Sequence, residues 1–101
     1  MTEAEAPTSE ALWAQIREIA ARFPQPTWDD VLPDWKWVHA WMADPSLPPA
    51  RPERDSWAAV LNQRIVGWGL DPLILRLEKA RELGVHPDRL VLTFINGTES
   101  W

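Results

Sequence analysis

Leu90-Val91-Leu92-Thr93-Phe94-Ile95-Asn96-Gly97 is the stretch that decides the fold. Its apolar run has strand composition, and Asn-Gly is a strong hairpin signal. A lone strand, however, leaves its backbone N–H and C=O groups without partners. The partner in view is Gln63–Leu70, and the residues around it read as a helix. Leu61, Ile65 and Trp68 fall within about 80° of Trp57 on a helical wheel, and Val60 lies about 60° to the other side. The sequence therefore favours a final helix with Pro87 at its first position. A C-terminal strand or hairpin at about 89–101 is the alternative.

Upstream, Asp71-Pro72 is a helix start, with an N-cap residue before a proline at the first helical position. Leu73–Leu83 follow as helix, and Gly84-Val85 has the form of a Schellman stop. Asp55 or Ser56 begins the preceding helix, which Gly67 and Gly69 end. Four prolines between Pro45 and Pro52 make 44–54 an extended, proline-rich linker. Pro33 and Asp34 suit the start of a helix running to about Ala43. Before it, Thr27-Trp28-Asp29-Asp30 resembles a capping box opening a short helical turn that Pro33 ends. Thr8 or Ser9 caps a first helix over roughly 10–23, with Leu12, Ile16, Ile19 and Phe23 on one face. Residues 1–8 read as a flexible acidic tail, and 9–101 as a single helical domain. The expected fold class is all-α, with four or five short helices around a Trp-rich core and α+β as the alternative.

The 101 residues are 46% hydrophobic and include ten prolines, eight tryptophans and no cysteine. Without cysteine there is no disulfide scaffold, thiolate metal site or cysteine nucleophile. The longest apolar runs are a few residues, too short to span a membrane. The Met-Thr-Glu-Ala-Glu-Ala-Pro start lacks the apolar segment of a signal peptide, so a cytoplasmic location is expected. Residues 1–34 hold seven acids against two bases, which accounts for the net charge of −5. No Lys/Arg cluster is present to neutralise nucleic-acid phosphates. The acidic third suits a partner with a basic surface.

The tryptophans supply the candidate site. On the helix over 34–43, Trp35, Val38 and Met42 form one apolar face, while Trp37 and Trp41 lie a turn apart on the other side. Exposed, they would anchor a partner, since Trp dominates interface hot spots. Asp34 and Asp44 would rim the patch, and Asp29 and Asp30 would extend its charge. The competing expectation is that the proline-rich linker folds back and covers both rings.

Three short motifs point elsewhere. Ala80, Gly84, Val85 and Leu90 are spaced as in helix-turn-helix proteins, a resemblance that implies a DNA-binding regulator. Val91 and Leu92 would then face base edges, whose hydrogen-bond code they cannot read. His86-Pro87-Asp88 resembles the tripeptide after the second helix of J-domain co-chaperones, where the preceding helix is basic; here that helix is nearly balanced. Pro49–Arg54 has the Pro-x-x-Pro-x-Arg form read by SH3 grooves. His39 and His86 lack metal-pair spacing, and no nucleophile elbow or phosphate loop occurs. The sequence thus points away from an enzyme and implies no cofactor or metal. It suggests a non-catalytic protein-binding module, an adaptor, assembly factor or inhibitor of the bacterial or phage kind. A homodimer through Leu90–Ile95 is a further expectation.

Overall fold

A computed structural model describes residues 8–98. Its elements are α1 (Ser9–Ala20), α2 (Trp28–Ala43), β1 (Ser56–Val60), β2 (Ile65–Gly69), α3 (Pro72–Leu83), a 3₁₀ turn (Pro87–Arg89) and β3 (Val91–Ile95). The three strands form an antiparallel sheet ordered β2-β1-β3. The chain is therefore α+β. The all-α expectation, and with it the description of the protein as helical, is overturned. The acidic tail lies outside the described residues except for Thr8.

The difference begins at 56–69. The expected helix there is a hairpin, which supplies the partner that the C-terminal segment needs. Leu61 donates its N–H to the Arg64 carbonyl across a turn whose central residues, Asn62 and Gln63, have φ of 53° and 60°. Positive φ at both central residues gives a type I′ turn, whose twist matches that of paired strands. Trp57, Val60, Ile65, Val66 and Trp68 then form the pleated surface that β-branched and aromatic residues favour. β1 pairs on its other side with β3, Ala58 opposite Thr93 and Val60 opposite Val91. Of the expected final helix, only the turn at Pro87–Arg89 forms. Val91 and Leu92 thus belong to a strand, which removes the helix-turn-helix geometry. Asn96-Gly97 makes no hairpin within the described residues. Gly97 instead lies so close to the Glu53–Arg54 backbone that a Cβ would collide with it.

The helices follow their caps. Thr8 accepts from Ala11 N at the start of α1, whose Leu12, Ile16 and Ile19 are buried. Asp71 caps α3 through Leu73 N and Ile74 N, and Gly84 ends it at φ 64°, where a side chain would be strained. In α2, Thr27 and Asp30 complete a reciprocal capping box. Pro33 does not break the helix as expected: α2 runs through it. The proline removes one N–H donor near the N-terminal end, while Val31, Trp35, Val38 and Trp41 hold both sides of it against the sheet.

Two cores flank the sheet. On one face, Val38 and Trp41 of α2 meet Ala58, Val60, Val91 and Ile95. On the other, α1 and α3 pack Leu12, Ile16, Ile19, Leu77 and Ala80 with Leu61 and Leu90. Adjacent residues such as Val60 and Leu61 enter opposite cores, as strand alternation requires.

Candidate functional site

The most buried polar group is Asp34, 1% exposed in the middle of α2. One carboxylate oxygen accepts from Gln63 N at 2.7 Å. The other accepts from Asn62 N at 3.2 Å and from the Arg89 guanidinium at 2.6 Å. Arg89 also donates to the Asn62 side chain at 3.1 Å. Asp34 therefore fastens α2 to the β1–β2 turn and to the entry of β3. Charge-assisted bonds of this kind offset the burial of an ionised carboxylate. It is not the rim residue that the sequence suggested.

Trp41 is likewise inside, 1% exposed. Its indole N–H donates to the Pro49 carbonyl at 3.0 Å, and the Arg51 guanidinium lies 3.7 Å from its ring centroid. Arg51 also donates to the carbonyls of Trp41 and Met42, which closes the C-terminal end of α2. Trp37 stacks on Trp41 with centroids 6.2 Å apart and is half-buried. Rather than running extended, the proline-rich segment folds back over Trp41. The exposed pair expected from the wheel is absent, because the inward face centres on Asp34, Val38 and Trp41.

Of the remaining acids, Asp29, Asp30 and Asp44 are exposed. The Thr27 N–H, helped by its hydroxyl, lowers the Asp30 carboxyl below its ordinary value. The Ser46 hydroxyl and then its N–H do the same for Asp44. His86 is buried and accepts from Asp88 N at 3.0 Å, so His-Pro-Asp here caps the 3₁₀ turn.

The exposed apolar side chains of α2 lie elsewhere. Exposed Trp28 (61%), His39 and Met42 (41%), with half-buried Leu32 and Trp35 between them, recur at steps of four, three, four and three residues. That spacing makes one stripe, the period of a helix–helix seam. Trp28, Leu32, Trp35 and His39, with Lys36, line an apolar trough of about 310 Å³. The Trp35 and His39 rings lie 5.7 Å apart. A second cavity of about 230 Å³ continues from Trp35 along Leu90–Leu92 beside Arg76 and Asp88. Burial lowers the pKa of Arg76, and the Asp88 carboxylate opposes the shift. A larger groove of about 510 Å³ lies past Leu32 and Lys36, where Asp29, Trp37 and Gln63 line it. The sequence reading missed the stripe because it ended a helix at Pro33, although the four–three spacing was legible across that proline.

Among the described residues no group of three or more His, Cys, Asp or Glu is placed to hold a metal ion, and no helix is long and apolar enough to cross a membrane. No family model, curated protein or solved structure matches the chain.

Proposed function

We propose that the chain is a non-catalytic protein-binding module, an adaptor, assembly factor or inhibitor, that docks partners on the outer flank of α2. The observation that carries this reading is the stripe of exposed Trp28, His39 and Met42 with half-buried Leu32 and Trp35 between them. An exposed Trp beside apolar neighbours is the composition of an interface anchor. Asp29 and Asp30 at one end of the helix and Asp44 at the other suit a partner with basic side chains around an apolar ridge. The occupations of the buried polar groups support a non-catalytic role. Asp34 and His86, with the partly buried Arg89, all serve contacts within the fold.

Affinity capture with wild type and Trp28→Ala side by side tests the reading. A partner held by wild type and lost by a Trp28→Ala chain of unchanged unfolding midpoint supports it. Equal capture by both overturns it.

A further inference from the structure

The two edges of the sheet differ. β2 carries Gly67 and Gly69, a register irregularity opposite Ala59 and Val60, and the Lys79 side chain laid over Gly67. Irregularity, glycine and a nearby lysine are the means by which edge strands discourage further pairing. β3 has no glycine and no irregularity, and the cation near it, Arg76, reaches no further than the Leu90 carbonyl before the strand, at 3.3 Å. Val91-Leu92-Thr93-Phe94-Ile95 contains no charge, proline or glycine, and Phe94 is 44% exposed. No described segment pairs with its outer edge, where the cavity beside Leu90–Leu92 opens.

The direction of the free backbone groups follows from the hairpin. Leu61 bonds across to Arg64, so alternation along β1 turns Val60 and Ala58 towards β3, where they face Val91 and Thr93. Leu92 and Phe94 therefore point their N–H and C=O groups outward. A second β3 running antiparallel about a two-fold axis at Thr93 sets Leu92 opposite Phe94 of the other copy, and the reverse. Both outward residues of both copies then bond. An axis at Leu92 or Phe94 leaves one of them beyond the other strand's end.

We infer that the partner on this flank is a second copy of the chain, joined through β3 into one six-stranded sheet. This rests on the docking reading of the apolar stripe, and names a copy of the chain, rather than a basic partner, as its occupant. The two-fold axis puts both α2 helices on the same face of the joined sheet, running antiparallel with their four–three stripes on the flanks that approach. A strand of five residues is about 17 Å long, too short to supply the roughly 800 Å² per partner of a standard interface. The 16-residue α2 adds a stripe about 21 Å long beside it, from Trp28 to Met42. Charge favours the strand contact over the helix contact. β3 carries none, and Arg76 beside it is matched by Asp88 at 3.8 Å. The antiparallel helices, by contrast, bring Asp44 of one copy towards Asp29 and Asp30 of the other, a repulsion that salt screens. A copy brings both a strand and a seam helix in the spacing that this surface presents.

Sedimentation of the wild-type chain at micromolar concentration then gives a species of twice 11.6 kDa. Phe94→Lys raises the dimer dissociation constant at least about tenfold. Thr93→Cys gives an independent readout, because the protein has no other cysteine. The axis places the two positions in a non-hydrogen-bonded pair with Cα atoms about 4.5 Å apart, within disulfide reach. Mild oxidation converts Thr93→Cys to a covalent dimer faster than it converts Glu78→Cys on the exposed side of α3. A monomer at every concentration, with Thr93→Cys oxidising no faster than Glu78→Cys, overturns the self-pairing. If Trp28→Ala still abolishes capture of another protein, the docking reading survives that result; if nothing bound depends on Trp28, both fall.

Discussion

Trp41 and Trp28 belong to one helix and have opposite surroundings. The ring of Trp41 stacks with Trp37, meets Trp68 at 6.2 Å, lies against the Arg51 guanidinium and bonds to Pro49. Trp28 has no ring or hydrogen-bond partner among the described residues. What separates them is the proline-rich segment, which closes over one end of α2 and leaves the other bare. The largest expected effect tests that difference. Trp41→Ala opens a cavity between α2 and the sheet and lowers stability by about 3–5 kcal/mol, a large part of a small domain's total. Urea unfolding measures it, and a loss below about 1 kcal/mol would mean that Trp41 packs no more tightly than a surface residue.

Asp34→Ala comes next. It strips one acceptor from three donors, Asn62 N, Gln63 N and Arg89. The expected loss is about 2–3 kcal/mol, below the range for a fully enclosed pair, because Arg89 retains some contact with water. Amide exchange at Asn62 and Gln63 should accelerate with it, since no carboxylate then holds that turn at positive φ. Unchanged exchange at both amides would show that the turn stands without Asp34.

These two positions also explain what was legible in the sequence. Thr8, Asp71-Pro72 and Gly84 marked helix ends correctly because a cap is a local interaction, decided within a few residues. The hairpin was hidden because Trp57, Leu61, Ile65 and Trp68 satisfy a helical wheel as well as a pleat. The balance was tipped by the Asn62-Gln63 turn and by Asp34, which is remote in sequence and supplies the acceptors that support it. Once β1 was misread, β3 had no partner to be assigned. The buried face of α2 was misplaced by about 60° for a related reason: an aspartate was counted as surface, although its three partners lie far along the chain. Those three caps could be read, although the start signal at Asp55 or Ser56 opens no helix; long-range polar contacts could not.

Arg51 sharpens the comparison from the side of the covering segment. Arg51→Ala removes both the stack on Trp41 and the two bonds to the end of α2, and should cost about 1–2 kcal/mol. Arg51→Lys should recover less than half of that, because an ammonium cannot lie flat on the indole while donating to two carbonyls. Full recovery by lysine would reduce the contact to its charge. Asp30 tests the opposite end of the helix through pH. Its folded pKa lies below the ordinary 3.8, so its contribution is present above that value and is lost as pH falls through the lowered one. Thr27→Ala deletes the hydroxyl but leaves the backbone N–H, the larger cause. The Asp30 carboxyl should therefore rise only part of the way in an NMR titration, and an unmoved value would mean that the hydroxyl does not contribute.

Trp28→Ala should have the smallest effect on stability and is the most telling of the set. With most of the ring already in water, its removal should change unfolding free energy by no more than about 0.5 kcal/mol, the ordinary range for surface substitutions. A loss several times larger would place Trp28 in the folding core beside Trp41 and erase the contrast between the two ends of α2. A near-zero loss leaves a large indole, within one turn of Leu32 and two of Trp35, that contributes nothing to the isolated fold. Exposed aromatic area of that kind is disfavoured in water and becomes favourable once a partner covers it. The case for a binding surface on α2 therefore gains strength as the stability effect of Trp28→Ala approaches zero.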